Sequence, residues 1–420
     1  MEKTRPILYG VADYAQIRKK NGWFIDRTAK IRDLEATAYA MFLRPRRFGK
    51  SFLVSMLQYY YDVAFADRFD ELFGGTVIGA APTREHGGYL VLYFDFSGIS
   101  KEADKVQEDF DFYVSLRCDS FARDYARVLP EGLAERILEA PDSRKKMNVI
   151  VSGLRSGTDK LYVLIDEYDN FTNTILAESG EKAYNDLCHG DGFFKQFFAI
   201  LKTATSGVNA PVTRLFITGV SPVTMDDVTS GFNIGTNISL MPQFADFTGF
   251  RHDDLRAISD YYAAHCGFDA ERAYDTAIRW YDNYRFGSAS APSIANTTVV
   301  LAFFNYLWRT KRFPNELVDE NLCTDYAKIG SLIVKCGNPE RLIPYIKDVL
   351  SKESISAPLV ADGQKIRGPW ELVSWFYYLG LLSISGSDFG NLLFSVPNMY
   401  TRTGLEKVLS YVEMRLEAKA

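Results

Sequence analysis

Cysteine and histidine are scarce, with five Cys and four His in 420 residues. Cys118, Cys188, Cys266, Cys323 and Cys336 are odd in number and form no Cys-x-x-Cys pair, and Cys188 and His189 are neighbours without metal-ligand spacing. Neither a zinc site nor a disulfide framework is expected, and a reducing, cytoplasmic setting is. Long apolar runs are missing too. None reaches the roughly 18 residues of a membrane span, and the N-terminal MEKTRPILYG has no apolar signal-peptide core. Positive charge is not in excess: 48 Lys and Arg face 53 Asp and Glu, a net charge of −5. No global field draws in nucleic acid. Internal repeats and low-complexity tracts are absent as well.

What the chain does have is aromatic rings, 14% of residues with 30 Phe and 25 Tyr. Core packing is the first expectation for them, and an aromatic partner-binding face the second. Apolar content of 47% and a length of 420 residues suffice for two or three domains with cores of their own.

Short, bounded apolar runs read as buried parallel strands at Ala38–Leu43, Tyr89–Asp95, Leu161–Ile165 and Arg214–Gly219, with a possible fifth at Asn237–Met241. Helical spacing follows the first run from Phe52 to Tyr61, fills most of 101–155 with breaks at Pro130 and Pro141, and recurs at 192–205. Strands separated by helices predict a parallel sheet covered on both faces. From about residue 250 to 350 the pattern is a run of helices. Pro369–Leu379 reads as a helix, and the runs 381–385 and 392–396 flank the turn-rich 386–391 as a β-hairpin.

Between the first strand and its helix lies Arg44-Pro-Arg-Arg-Phe-Gly49-Lys50-Ser51. Its last three residues match the phosphate-loop pattern G-x-x-x-x-G-K-[ST], with Arg44 in place of the first Gly. Gly49 lets backbone N–H groups approach a phosphate, and the following helix start offers N–H donors and a positive dipole end. Lys50 suits the β and γ phosphates and the Ser51 hydroxyl suits Mg²⁺. Arg46 and Arg47 add charge, and Phe48 and Phe52 complete the segment. These three matching residues also occur in ordinary surface turns.

The second element is Asp166-Glu167, directly after the strand Leu161–Ile165. A carboxylate at such a strand end holds Mg²⁺, usually through water. A Glu beside it can orient or deprotonate an attacking water. An acidic turn would look the same in isolation. The two elements together, at the ends of separate strands where such folds bind ligands, favour a nucleotide site. Thr218 and Ser221, in Ile217-Thr-Gly-Val-Ser-Pro222, could sense a γ-phosphate or hold the water. Asp95 could face the same crevice, although capping the next segment is the expected role.

Together these residues resemble the predicted AAA-ATPase-like family of the AAA+/STAND group of P-loop ATPases. The matching stretches are Trp23-Phe-Ile-Asp-Arg-Thr28, Phe42-Leu-Arg-Pro-Arg-Arg-Phe-Gly-Lys-Ser51, Leu92-Tyr-Phe-Asp-Phe-Ser97, Leu164-Ile-Asp-Glu-Tyr-Asp169, Phe216–Pro222 and Trp280-Tyr-Asp-Asn-Tyr-Arg-Phe-Gly287. Tyr378–Leu382 and Val396-Pro-Asn398 also fit. The resemblance implies an α/β P-loop NTPase at 1–245, opened by a lead-in at 1–37. The run of helices and the late hairpin suggest that a helical domain at 246–350 and a winged-helix-like unit at 351–420 follow. The resemblance implies ATP and Mg²⁺ as cofactors. Lys50, Glu167, Thr218 and Ser221 are then catalytic, Ser51 and Asp166 hold the metal, and the Arg44–Phe52 segment cradles the phosphates. Arg285 would reach the nucleotide or a switch element, or form an ordinary loop contact. Many relatives carry a PD-(D/E)xK nuclease domain after the Pro-Asn segment. No Asp followed by a Glu-x-Lys strand follows it here, so nuclease activity is not expected.

The expected function is ATP hydrolysis driving a conformational switch. The alternative is a nucleotide-gated binding module with little turnover. A protein partner and a homo-oligomer are compatible with both, a membrane is not. DNA binding through residues 363–420 has little support, since they carry both charge signs and no dense basic stripe.

Overall fold

The computed structural model describes residues 4–155, 160–222, 235–317, 329–330, 333–334, 339–360 and 368–417. Cys323, Cys336, the helical reading of 318–328, 331–332 and 335–338, and part of the 363–420 charge pattern lie outside these. By internal contacts the chain divides into two compact units, one of Thr28–Leu43 and Ser51–Ile238, the other of Met1–Arg27, Arg44–Lys50 and Ser239–Ala420. Residues 1–27 and the loop 44–50, expected within a single 1–245 domain, thus group with 239–420.

The unit of Thr28–Leu43 and Ser51–Ile238 is an α/β layer structure. Its sheet holds β1 (Tyr39–Leu43), β2 (Leu90–Asp95), β3 (Leu161–Asp166), β4 (Val212–Gly219) and β5 (Thr236–Asn237) in the order β2-β3-β4-β1-β5, and every pairing is parallel. All six residues of β3 are buried, as a strand covered on both faces requires. The fifth strand is shorter than the expected 237–241. Ile238 N makes a last bond to Met41 O (2.9 Å), and Pro242 then starts a 3₁₀ turn that leaves the sheet.

Helices α1 (Lys50–Tyr61), α2 (Val106–Asp124), α3 (Leu133–Glu139), α4 (Ser143–Leu154), α5 (Asn170–Ser179), α6 (Glu181–Cys188) and α7 (Phe193–Ala204) connect or flank these strands. In α7, Phe194, Phe197, Phe198, Leu201 and Ala204 recur at helical spacing and are all buried. The aromatic expectation resolves here as core. Phe94, Phe96, Phe110, Phe171, Phe194 and Phe197 form one ring cluster, with Phe171–Phe194 centroids 4.9 Å apart and Phe94–Phe197 5.3 Å.

The other unit is mainly helical. It contains α8 (His252–Cys266), α9 (Ala270–Tyr281), α10 (Thr297–Thr310) and α11 (Pro339–Ser351). It continues with β6 (Ile355–Ala357), α12 (Pro369–Tyr378), β7 (Ser383–Asp388), β8 (Asn391–Ser395) and α13 (Met399–Glu417). The β7–β8 hairpin adds β6 to make a three-stranded antiparallel sheet in the order β6-β8-β7. Two stretches far apart in sequence meet in this unit. Asn398 Nδ2 donates to Asp282 O (2.6 Å), and Asp282, fully buried, holds its Oδ2 2.6 Å from His252 Nε2 and accepts from Ser293 Oγ at 3.0 Å. Among the described residues, no helix is long and apolar enough to cross a membrane.

Candidate active site

The carboxyl ends of β1, β4 and β3 lie side by side. Phe42 pairs with Thr218 and Leu43 with Gly219, while Ile217 pairs with Ile165, one residue before Asp166. At ordinary strand spacing the end of β3 is two strands, about 10 Å, from the end of β1. The connection after β1 leads past β4 and β3 to β2, whereas that after β4 leads past β1 to β5. The chain therefore turns opposite ways at neighbouring strand ends, the kind of crevice where open α/β sheets bind ligands.

Asp166 is buried at 1% exposure, and its Oδ1 accepts from Glu167 N at 3.0 Å. Glu167 is half-buried and adopts φ +52°, a left-handed conformation that non-glycine residues rarely hold. The backbone bends there because both following residues are clamped to the end of β4. Tyr168 N donates to Thr218 O (3.1 Å), and Tyr168 Oη donates to Ser221 O. The Asp169 carboxylate, fully buried, accepts from Val220 N (3.1 Å) and Ser221 N (2.8 Å) and from Asn173 Nδ2 (2.8 Å). Only glycine fits at 219, since a Cβ would lie 2.4 Å from the Tyr168 ring and 2.5 Å from Asp169 Oδ1.

Thr218 Oγ1 is buried and has no hydrogen-bond partner among the described residues. A buried hydroxyl without a partner calls for a water or ligand atom. Ser221 is also buried. Asp95, the register partner of Asp166, caps its own turn by accepting from Ser97 N at 2.9 Å. The burial of Tyr93 and the carboxylates of Asp166 and Asp95 raise the Tyr93 phenol far above its usual value. Ser51, half-buried, is the second residue of α1.

The loop Arg44–Lys50 is held within the other unit. Gly49 has φ +85° and Arg47 φ +73°, so the chain reverses tightly before α1. Lys50 is buried, and its Nζ donates to Arg44 O (3.2 Å) and Pro45 O (3.3 Å), closing the loop on itself. Three successive carbonyls are tied to the start of α10. Arg46 O accepts from Asn296 Nδ2 (3.2 Å), Arg47 O from Thr298 N (3.0 Å) and Oγ1 (2.9 Å), and Phe48 O from Thr297 Oγ1 (3.1 Å). The carbonyl edge of the loop is thereby taken up. Arg46, Arg47 and Phe52 are half-buried. Phe48 is fully buried between Tyr284 and Phe286, at 5.0 and 5.5 Å.

Arg44, read from sequence as part of the phosphate cradle, has its side chain buried in the protein. At 1% exposure it donates to Ser239 O and Phe244 O, both at 2.8 Å, and lies 4.0 Å from the Phe286 ring centroid. Burial pulls its guanidinium down to about 9, which leaves it charged at neutral pH. Arg285 is half-buried, and its backbone N donates to Ser383 Oγ (2.8 Å).

Sequence reasoning missed Tyr168, Asp169 and Asn296–Thr298. The first two stood in the acidic stretch Asp166-Glu-Tyr-Asp169, which signalled a site without naming a clamp. Asn296 caps α10 through its side chain, accepting from Thr298 N, and an Asn before an apolar run is the signal that could have marked that helix start, though not its grip on the loop.

Magnesium in nucleotide sites needs only one or two carboxylates, since phosphate oxygens complete its shell. One buried strand-end carboxylate and one helix-start hydroxyl suit that demand. Among the described residues no group of three or more His, Cys, Asp and Glu could hold a metal ion alone.

No curated protein matches the chain at a significant level. A solved structure, the Aeropyrum pernix Orc1 protein in complex with DNA, is similar at a TM-score of 0.34 and 11% identity. It covers 98% of this chain and 100% of that one. So loose a superposition carries no argument. The family model described as predicted AAA-ATPase matches residues 8–229, more than half of the chain and the whole stretch from the first strand through the Thr218–Ser221 turn. The chain belongs to the AAA-ATPase-like family.

Proposed function

We propose that the protein binds ATP with Mg²⁺ and hydrolyses it, coupling turnover to a conformational switch. The observation that carries this reading is the register of β1, β4 and β3, which aligns Thr218 and Asp166–Glu167 along the sheet edge from which the phosphate loop departs. The bound nucleotide supplies the phosphoanhydride, and its metal spreads the charge that develops on the phosphates. Lys50 neutralises that charge at the start of α1, where helix N–H groups also point. Ser51 and Asp166 hold the metal. Glu167 orients the attacking water and accepts its proton. Thr218 Oγ1 takes a hydrogen bond to that water or to a phosphate oxygen, and its buried position without a partner among the described residues supports the role. The roles of Arg46, Arg47 and Arg285 toward phosphate are part of the same proposal, as is a winged-helix-like reading of β6–β8 with α12 and α13.

The test is phosphate release by wild type and Glu167→Gln, alongside ATP binding. Wild type should show Mg²⁺-dependent turnover. The Gln variant should retain ATP binding and lose turnover on the order of 100-fold. Equal turnover in both, with ATP still bound, would leave a nucleotide-gated module without catalysis. Absence of ATP binding by wild type would remove the nucleotide reading altogether.

A further inference from the structure

We infer that Asp169, with Tyr168, is a positioning residue that sets the Glu167 carboxylate against the Thr218–Ser221 turn. The inference rests on the ATPase reading above and goes beyond it, because neither side chain is assigned to nucleotide or water. The fully buried Asp169 carboxylate accepts from Val220 N and Ser221 N, and its Oδ2 also accepts from Asn173 Nδ2 at the start of α5. Three donors from two elements thus converge on one side chain. Tyr168 adds a bond at each end of the same turn, from its N to Thr218 O and from its Oη to Ser221 O.

The left-handed backbone of Glu167 follows from this clamp. Such a conformation persists only where surrounding contacts over-determine it. Here the contacts before it are Glu167 N to Asp166 Oδ1, and those after it run through residues 168–170, with Asn170 N donating to Glu167 O at 3.1 Å. The close approach at Gly219 shows how little slack remains between the two segments. The end of β3 and the end of β4 therefore move as one body, and the separation between Glu167 and Thr218 is held by bonds that need two acceptor oxygens at 169. An Asn there keeps the size but turns an N–H₂ donor toward one of two backbone N–H donors.

The experiment compares wild type with Asp169→Asn, and with Tyr168→Phe as a milder second variant. The readouts are kcat and KM for ATP, normalised to nucleotide-binding protein, and amide exchange at Val220 and Ser221. A displaced catalytic group lowers kcat on the order of 10- to 100-fold while leaving KM within a few-fold. Exchange at the two amides should quicken in Asp169→Asn. If kcat per binding-competent molecule matches wild type in Asp169→Asn, the inference is overturned, because a purely structural role changes the folded fraction and not the turnover of folded molecules. If Asp169→Asn does not fold, Tyr168→Phe decides. A fall in kcat at constant KM supports the clamp, and wild-type kcat removes it. A wild type with no turnover sinks the ATPase reading itself, and this inference with it.

Discussion

Replacing Arg44 by Ala should destabilise the unit that contains it by about 3–5 kcal/mol, because two buried carbonyls lose their donor. The guanidinium makes two hydrogen bonds at 2.8 Å to the carbonyls of Ser239 and Phe244, which are themselves buried. Each carbonyl left without a donor costs about 1–3 kcal/mol. Loss of the Phe286 contact at 4.0 Å removes about 1–2 kcal/mol more. The desolvation of Arg44, visible in its lowered pKa, offsets part of the total. Arg44→Lys keeps the charge but not the fork or the stacking, so a loss of about 1–3 kcal/mol, that of one carbonyl without its donor, is expected. Urea unfolding followed by tryptophan fluorescence reads this directly. All five tryptophans, Trp23, Trp280, Trp308, Trp370 and Trp375, lie in the unit that holds Arg44, and none lies in the other. Denaturation slopes should stay unchanged while midpoints fall. An Ala variant within about 1 kcal/mol of wild type would refute the strut role, since even one orphaned carbonyl should cost that much.

Two further outcomes concern the α/β unit. Gly219→Ala should destabilise it by about 1–3 kcal/mol, because the new methyl meets Tyr168 and Asp169 at 2.4–2.5 Å. Gly98→Ala, whose Cβ would meet nothing within 4 Å, is the control and should unfold like wild type by far-ultraviolet circular dichroism. A silent Gly219→Ala would mean the two strand ends have room to part. Burial raises the Asp62 carboxyl from 3.8 to about 6, so the folded state prefers it protonated. Stability from that group is complete below about pH 4 and is lost as pH rises through 6. Asp62→Asn, which can still accept from Ala64 N, should therefore stabilise at pH 8 by up to about 3 kcal/mol and make little difference at pH 4. A difference that does not grow with pH would count against it.

The four main strands, the helices between them and the late hairpin were legible because each is a local pattern. Runs such as Leu161–Ile165 are apolar throughout, as strands buried on both faces must be, and α7 shows its buried face at helical spacing. The fifth strand was overextended because Ile238-Ser-Leu-Met241 is apolar enough, and only Pro242 and the sheet's edge explain where pairing stops. Residues of the candidate site were legible as types, since a Gly-Lys-Ser turn and an Asp-Glu strand end each have a chemistry.

By itself, then, the sequence determined the order of elements, the parallel sheet and the residue types at strand ends, all set by spacing over a few residues. Which strand neighbours which, and so which strand ends share an edge, was decided by tertiary structure, through crossovers that composition does not encode. The same holds for the fate of individual side chains. Arg44 and Lys50 are both cations in one basic loop, yet one spans to Ser239 and Phe244 and the other folds back on Arg44 and Pro45. A charge pattern cannot distinguish a strut from a ligand, because the difference lies in partners about two hundred residues away along the chain.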